Sequence, residues 1–212
     1  MIEVISVNLG RREIIKDGDR AYETGIYKKP VQHAVTVSDL GLEDDAVCDM
    51  KHHGGPDQAV YLYRNEDYQW WSEQLGREVS MGSFGENLTL TGIEGPALNV
   101  GDRLRFANLE LEITAPRIPC STLASSMGDK MFAKKFMQAG RPGFYARVIS
   151  TGKIEVGEEA ELFAYSGPSV STVQFFHEFK QKLSRERLEQ YLQYPIDIRS
   201  RTEFEQQLSR AI

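Results

Sequence analysis

The chain has 212 residues, 41% hydrophobic and 26% charged, with a formal net charge of −6. These ordinary globular values exclude collagen-like, disordered and disulfide-scaffold readings, and the acidic balance argues against a global electrostatic grip on nucleic acid. Two cysteines are too few for an iron–sulfur cluster or a four-cysteine zinc site within the chain.

The first residues lack the basic start and apolar core of a signal peptide, and no stretch approaches the roughly 20 apolar residues of a membrane span. The expectation is a soluble cytoplasmic protein of one large domain, in which Cys48 and Cys120 stay as free thiols.

In chain order, residues 1–8 and 31–37 alternate apolar and polar residues and predict strands. Residues 40–58, charged and marked by Gly and Pro, predict a long loop of the kind that often carries function. Residues 59–63 predict a short apolar strand. Residues 65–75 predict a helix with Asn65 as N-cap and Tyr68, Trp71 and Leu75 on one face. Residues 84–90 predict a strand, and 103–114 a hairpin turning at Ala107-Asn108. A proline-stiffened loop at 115–126 runs into a helical turn, and 129–138 predicts a helix. Strands follow at 143–150 and 153–165. Many short strands separated by turn signals point to a barrel or sandwich. After Ser166-Gly167-Pro168-Ser169 the composition shifts: residues 172–212 hold no glycine and one proline, Pro195. Three short amphipathic helices are expected there, so the division is 1–166 and 167–212. About 45 residues of helix are marginal alone, and this segment should pack on the first.

Three polar clusters could carry chemistry. In His52-His53-Gly54-Gly55-Pro56-Asp57 the paired glycines let backbone N–H groups approach an anion, with an imidazole alongside. Adjacent histidines on extended backbone face opposite ways, so at most one serves a shared site. A plain glycine turn with solvent-facing histidines accounts for the same spacing. In Phe84-Gly85-Glu86-Asn87, Asn87 and backbone groups could read a heterocycle edge, while a bulge at Gly85 is the plainer alternative. In Pro116-Arg117-Ile118-Pro119-Cys120, two prolines fix the backbone around an arginine and before a thiol. A nearby guanidinium favours the thiolate, the form that binds metal or attacks, but a lone cysteine is usually a small buried hydrophobe. Cys48, without such bracing, is assigned the inert role. No G-x-S-x-G, G-x-G-x-x-G or P-loop pattern is present.

Taken in order, Leu40-Gly41-Leu42-Glu43, His53-Gly54-Gly55-Pro56-Asp57, Phe84-Gly85-Glu86-Asn87-Leu88, Val100-Gly101-Asp102, Pro116-Arg117-x-Pro119-Cys120 and Gly143-x-x-x-Arg147-Val148 resemble the MOSC domain family, named for molybdenum-cofactor sulfurase C-termini. The look is of its YiiM-like branch, which adds a C-terminal three-helix domain. The resemblance implies a mainly β fold, a pyruvate-kinase-type β-barrel with helices outside. It also implies binding of the molybdenum cofactor (molybdopterin), with Cys120 as protein ligand to the metal. Arg117 and Arg147 would hold the pterin phosphate, and His53 and Asn87 would line the pterin or substrate site. Gly54, Gly55, Asp57, Phe84 and Glu86 complete the implied cofactor-binding set. The implied activity is reduction of N-hydroxylated compounds such as 6-N-hydroxylaminopurine. Electrons would come from a separate flavin or iron–sulfur reductase, because no such motif lies in the chain. The alternatives are a sulfur carrier, with Cys120 accepting persulfide sulfur from a pyridoxal-phosphate-dependent cysteine desulfurase, and a cofactor-storage module. Two departures stand out. Asp44 replaces a common family glycine, and Thr122 replaces a frequent lysine two residues after the cysteine.

Overall fold

The computed structural model describes residues 1–17, 20–49, 53–95 and 98–210. The strand-forming stretches pair into a ring. In ring order the strands are β1 (Ile2–Gly10), β8 (Leu88–Thr91), β7 (Val60–Arg64), β11 (Phe144–Ser150), β10 (Glu110–Ala115), β9 (Arg103–Arg105) and β13 (Glu159–Phe163). β13 pairs back onto β1 through Ile2↔Ala160 and Glu3↔Glu159, which closes a seven-strand barrel. All ring pairings are antiparallel except β7–β8. β4 (Lys28–Val31) pairs with the far half of β1. β2 (Glu13–Asp17) and β3 (Arg20–Thr24) form a separate hairpin. β5 (Val35–Ser38), β6 (Gly41–Leu42) and β12 (Gly152–Ile154) make a small third sheet.

The barrel expectation holds, and period-2 alternation explains it. Along β7, Val60 and Leu62 point into the barrel core while Tyr61 and Tyr63 point outward. On β11, Phe144 and Ala146 face in and Tyr145 faces out. All five residues of β7 are buried, because its outer face is covered as well. Helices α1 (Asn65–Leu75), α2 (Ser121–Ser126) and α3 (Phe132–Ala139) supply that cover. Trp71 stacks on Phe136 with ring centroids 5.8 Å apart, and Tyr63 packs on Phe84 at 4.8 Å.

Three sequence-based details differ. α1 starts at Asn65 itself, and Arg64, ion-paired to Glu66 and Asp67, occupies the cap position. The predicted strand 31–37 is two strands, β4 and β5, separated at residues 32–34. The predicted strand 153–165 is broken by the turn at Gly157 into β12 and β13.

The last segment forms α4 (Thr172–Glu178), α5 (Arg185–Tyr191) and α6 (Ile198–Arg210). Ser171 and Ser184 cap the first two by accepting from Gln174 N and Arg187 N. Phe175, Phe176, Tyr191 and Phe204 share one aromatic core with Trp71, Phe84 and Phe136 outside the barrel. Phe136 meets Phe176 edge-on at 6.2 Å.

Candidate functional site

A cavity of about 140 Å³ lies outside the barrel wall, against Tyr61 of β7 and Tyr145 of β11. Four chain segments build it, and each delivers a particular side chain. After β10, Pro116 and Pro119 bracket Arg117 and carry the chain to Cys120, which sits at the N-cap of α2. The loop before the 3₁₀ turn Pro56–Gln58 delivers His53 and Gly54. The chain entering β8 delivers Asn87. β4 and the loop after β6 deliver Lys28 and Asp45. The β2–β3 hairpin forms one rim, where the Tyr22 hydroxyl lies 3.1 Å from Thr122 Oγ1.

Burial pushes the Cys120 pKa up, but a hydrogen bond from His53, the Arg117 charge and a backbone bond from Leu123 outweigh it and bring it to about 6. The second thiol, Cys48, lines the same cavity, but burial pushes its pKa up and the counter-charge of Arg12 does not reverse this. Both cysteines are free.

Arg117 is buried, with 4% of its surface exposed, and its Nη1 has no hydrogen-bond partner among the described residues. It donates to the Tyr145 hydroxyl and lies over the Tyr61 ring, 5.4 Å from the centroid. Arg117 lines the cavity, and a buried guanidinium with an unpartnered donor is costly without an acceptor.

The opposite wall is a closed polar cluster. Lys28 Nζ is held by both Asp45 carboxylate oxygens, and Asp45 also accepts from Gly10 N (2.7 Å) and Asn87 Nδ2 (2.9 Å). Asn87 in turn accepts from Tyr61 N through Oδ1 at 3.1 Å. The segments here meet without room for side chains. A Cβ on Gly25 would fall 1.8 Å from the Ala46 carbonyl oxygen.

The structure thus brings Cys120, His53, Gly54, Arg117 and Asn87 to one cavity. It places other residues of the implied set elsewhere. Arg147 Nε pairs with Asp57 (3.0 Å), its Nη1 with Glu112 (3.4 Å), and its Nη2 donates to the Pro195 and Ile196 carbonyls. Asp57 also accepts from Ile198 N at 2.7 Å. Both tie the barrel to the C-terminal segment. Glu86 is buried behind the wall and accepts from the Tyr68 hydroxyl, Gly82 N and Thr89. Phe84 is fully buried in the aromatic core. Gly55, at φ 89°, caps the 3₁₀ turn beside the cavity. His52 lies outside the described residues. Among the described residues, no group of three or more His, Cys, Asp or Glu could hold a metal ion. No helix among them is long and apolar enough to cross a membrane.

Sequence reasoning passed over Lys28, Asp45, Tyr22 and Tyr145, and it set Cys48 aside as inert. Lys28, Asp45 and Tyr22 come from segments with no motif, joined only by the fold. Tyr145 was legible as an outward position of a strand following Gly143.

The chain is thus a closed mixed barrel with an acidic thiol and a buried guanidinium on its outer wall. The family model of the MOSC domain matches residues 49–161, and the chain belongs to that family. Its relatives include the uncharacterized protein YflK of Bacillus subtilis, 36% identical over 190 residues that cover 87% of this chain and 86% of YflK. A protein named "Reductase" from Gibberella moniliformis is 30% identical over 176 residues, covering 80% of this chain but 31% of that protein. The crystal structure of YiiM from Geobacillus stearothermophilus superposes with a TM-score of 0.80 at 28% identity, covering 98% of this chain and all of that one.

Proposed function

We propose that this cavity holds the molybdenum cofactor and that the protein reduces N-hydroxylated compounds with electrons from a separate reductase. The observation that carries this reading is the pairing of a thiolate with a pKa of about 6 and a buried arginine whose Nη1 lacks a partner. Family membership and the reductase name of one relative support it.

The residues present fit such a group. A thiolate is a soft ligand, suited to a soft metal, and here we extend that rule to molybdenum. A planar guanidinium suits a phosphate. Because Arg147 is committed to Asp57 and Glu112, Arg117 takes the phosphate role. Thr122, where a lysine is frequent in the family, is engaged with Tyr22 and adds no charge. Gly54, at φ 97°, keeps the backbone free of a Cβ where the cofactor approaches.

Bound there, the cofactor supplies a two-electron redox couple. Reduction of R–NHOH to R–NH2 breaks the N–O bond and releases water, consuming two electrons and two protons. The reductase partner, a flavin or iron–sulfur protein, delivers the electrons. His53 donates a hydrogen bond to the Cys120 sulfur and so favours the ligand as thiolate. Lys28 Nζ, anchored by Asp45, places a positive charge at the opposite wall. Tyr61 and Tyr145 exclude water from the barrel side.

The sulfur-carrier reading uses the same thiolate but gives Arg117 no anion to bind. Protein made in cofactor-competent cells separates the two. We expect about one molybdenum and one pterin per chain, and turnover of N-hydroxylated bases or amidoximes with reduced viologen dye. Cys120→Ser should lose both metal and turnover. Molybdenum-loaded protein without turnover on several N–O substrates, together with persulfide transfer to Cys120 from a cysteine desulfurase, would replace this reading with the carrier.

A further inference from the structure

The C-terminal helices lie outside the family-matched segment, yet one of them touches the site. We infer that Arg199, in the first turn of α6, is a positioning residue that holds the His53–Gly54–Gly55 loop so that His53 reaches Cys120. The inference rests on the cavity's own geometry and needs no bound cofactor.

In the described part of the loop, His53 N donates to Asp49 O (2.8 Å), Gln58 N to Gly55 O (3.0 Å) and the Thr114 hydroxyl to the Asp57 carbonyl (2.6 Å), and none of these bonds is made by the Gly54 carbonyl. Gly54 and Gly55 both adopt positive φ (97° and 89°), and only the three-residue 3₁₀ turn Pro56–Gln58 follows before β7. Consecutive glycines carry a large backbone entropy, so an ordered conformation here needs outside restraint.

The start of α6 supplies it at three points. Arg199 Nη2 donates to the Gly54 carbonyl at 2.8 Å, and its Nη1 donates to Gln58 Oε1. Ile198 N donates to Asp57 Oδ2 at 2.7 Å. A guanidinium presents two donors in one fixed plane, so the residues on either side of Pro56 are pinned as a unit. The helix itself is fixed in turn. Asp197 accepts from Arg199 N and Ser200 N, and Arg147 bridges Asp57 to the Pro195 and Ile196 carbonyls. The Arg199 charge also acts on Tyr145, the hydroxyl that accepts from Arg117. One residue of the appended segment therefore reaches both the histidine loop and the arginine–tyrosine pair of the cavity.

The test uses the full-length chain without cofactor, as wild type, Arg199→Ala, Arg199→Lys and the exposed control Thr202→Ala. Two quantities are read: backbone amide exchange at Gly54, Gly55 and Gln58 against Leu62 and Leu111 in the barrel, and the NMR signals of the His53 ring. A charge-assisted hydrogen bond opening locally corresponds to about ten- to a hundredfold in exchange rate. We expect Arg199→Ala to speed loop exchange by at least about tenfold, with barrel amides unchanged. The His53 signals should move to where Cys120→Ser places them. Lysine keeps one donor and the charge, so it should restore part of the protection, and Thr202→Ala should match wild type. If the alanine variant does not fold, Arg199→Gln is read the same way. Unchanged loop exchange and an unmoved His53 signal, or loop and barrel loosening together, would overturn the assignment.

Discussion

Cys120 is an acidic thiol because two donors, the His53 side chain and Leu123 N, and the Arg117 charge act on it where burial alone would raise its pKa. At pH 6 about half of it is thiolate, against well under 1% of an ordinary thiol. The lower nucleophilicity of a low-pKa sulfur takes back about tenfold of that advantage. Iodoacetamide at pH 6 should therefore modify Cys120 about tenfold faster than Cys48, read by peptide mass spectrometry. Equal modification would remove the His53 and Arg117 contributions. The depressed pKa also sets a pH dependence. The folded chain holds the thiolate above about 6 while the unfolded chain binds its proton up to the ordinary thiol value. Stabilisation from this group is thus complete above the unfolded value and lost as pH falls through about 6. The Tm advantage of metal-free wild type over Cys120→Ser should widen from pH 6 to pH 9. A constant gap would contradict the shift. Arg117→Ala should weaken cofactor binding by about ten- to a hundredfold, and Arg117→Lys by less, because lysine keeps the charge without the planar fork. Equal affinity in all three proteins, measured by pterin fluorescence, would make Arg117 a purely structural cation.

Asp44 is the described non-glycine residue with positive φ, at 63°. Aspartate tolerates this left-handed conformation, and a β-branched residue does not. Asp44→Gly should leave stability unchanged or slightly raised, while Asp44→Val should cost about 1–2 kcal/mol in urea unfolding. A neutral valine would mean the loop relaxes around it. What the sequence showed at this scale followed from burial. β7 reads plainly because both its faces are covered, and the two prolines around Arg117 announce a braced thiol. The β2–β3 hairpin went unread because it buries little: Ile14 is 72% exposed, and its strands are polar. The signal that could have found it is Gly18-Asp19, a turn-type dipeptide between two short strand-like runs. Lys28, Asp45 and Arg199 were illegible for a different reason. A single charged residue in a polar stretch looks like surface until the fold buries it against a partner far along the chain. Cys48 was set aside as inert for want of bracing, yet it shares the cavity with Cys120.

The outer core joins the C-terminal helices to the barrel wall. Phe204, 1% exposed, lies between Tyr191 at 4.9 Å and Phe175 at 6.0 Å in the cluster that also holds Trp71 and Phe136. Phe204→Ala should cost about 3–5 kcal/mol and lower Tm by about 10 °C. Unfolding should remain a single transition by both tryptophan fluorescence and far-UV circular dichroism. Two separate transitions would mean the C-terminal helices unfold independently of the barrel.

The seam between β13 and β1 has a consequence for how the chain is made. The first strand finds its closing partner only at Glu159 and Ala160, more than 150 residues later. During synthesis at about 5–20 residues per second, the N-terminal strand waits roughly ten seconds or longer with one edge unpaired. Pairings this distant also fold slowly. Over that interval the nascent barrel presents open edges at β1 and β9, the kind of edge that recruits strands from neighbouring chains. Truncation just before β13 leaves the same edges open permanently, so chains ending near residue 155 should collect in inclusion bodies while the full chain stays in solution.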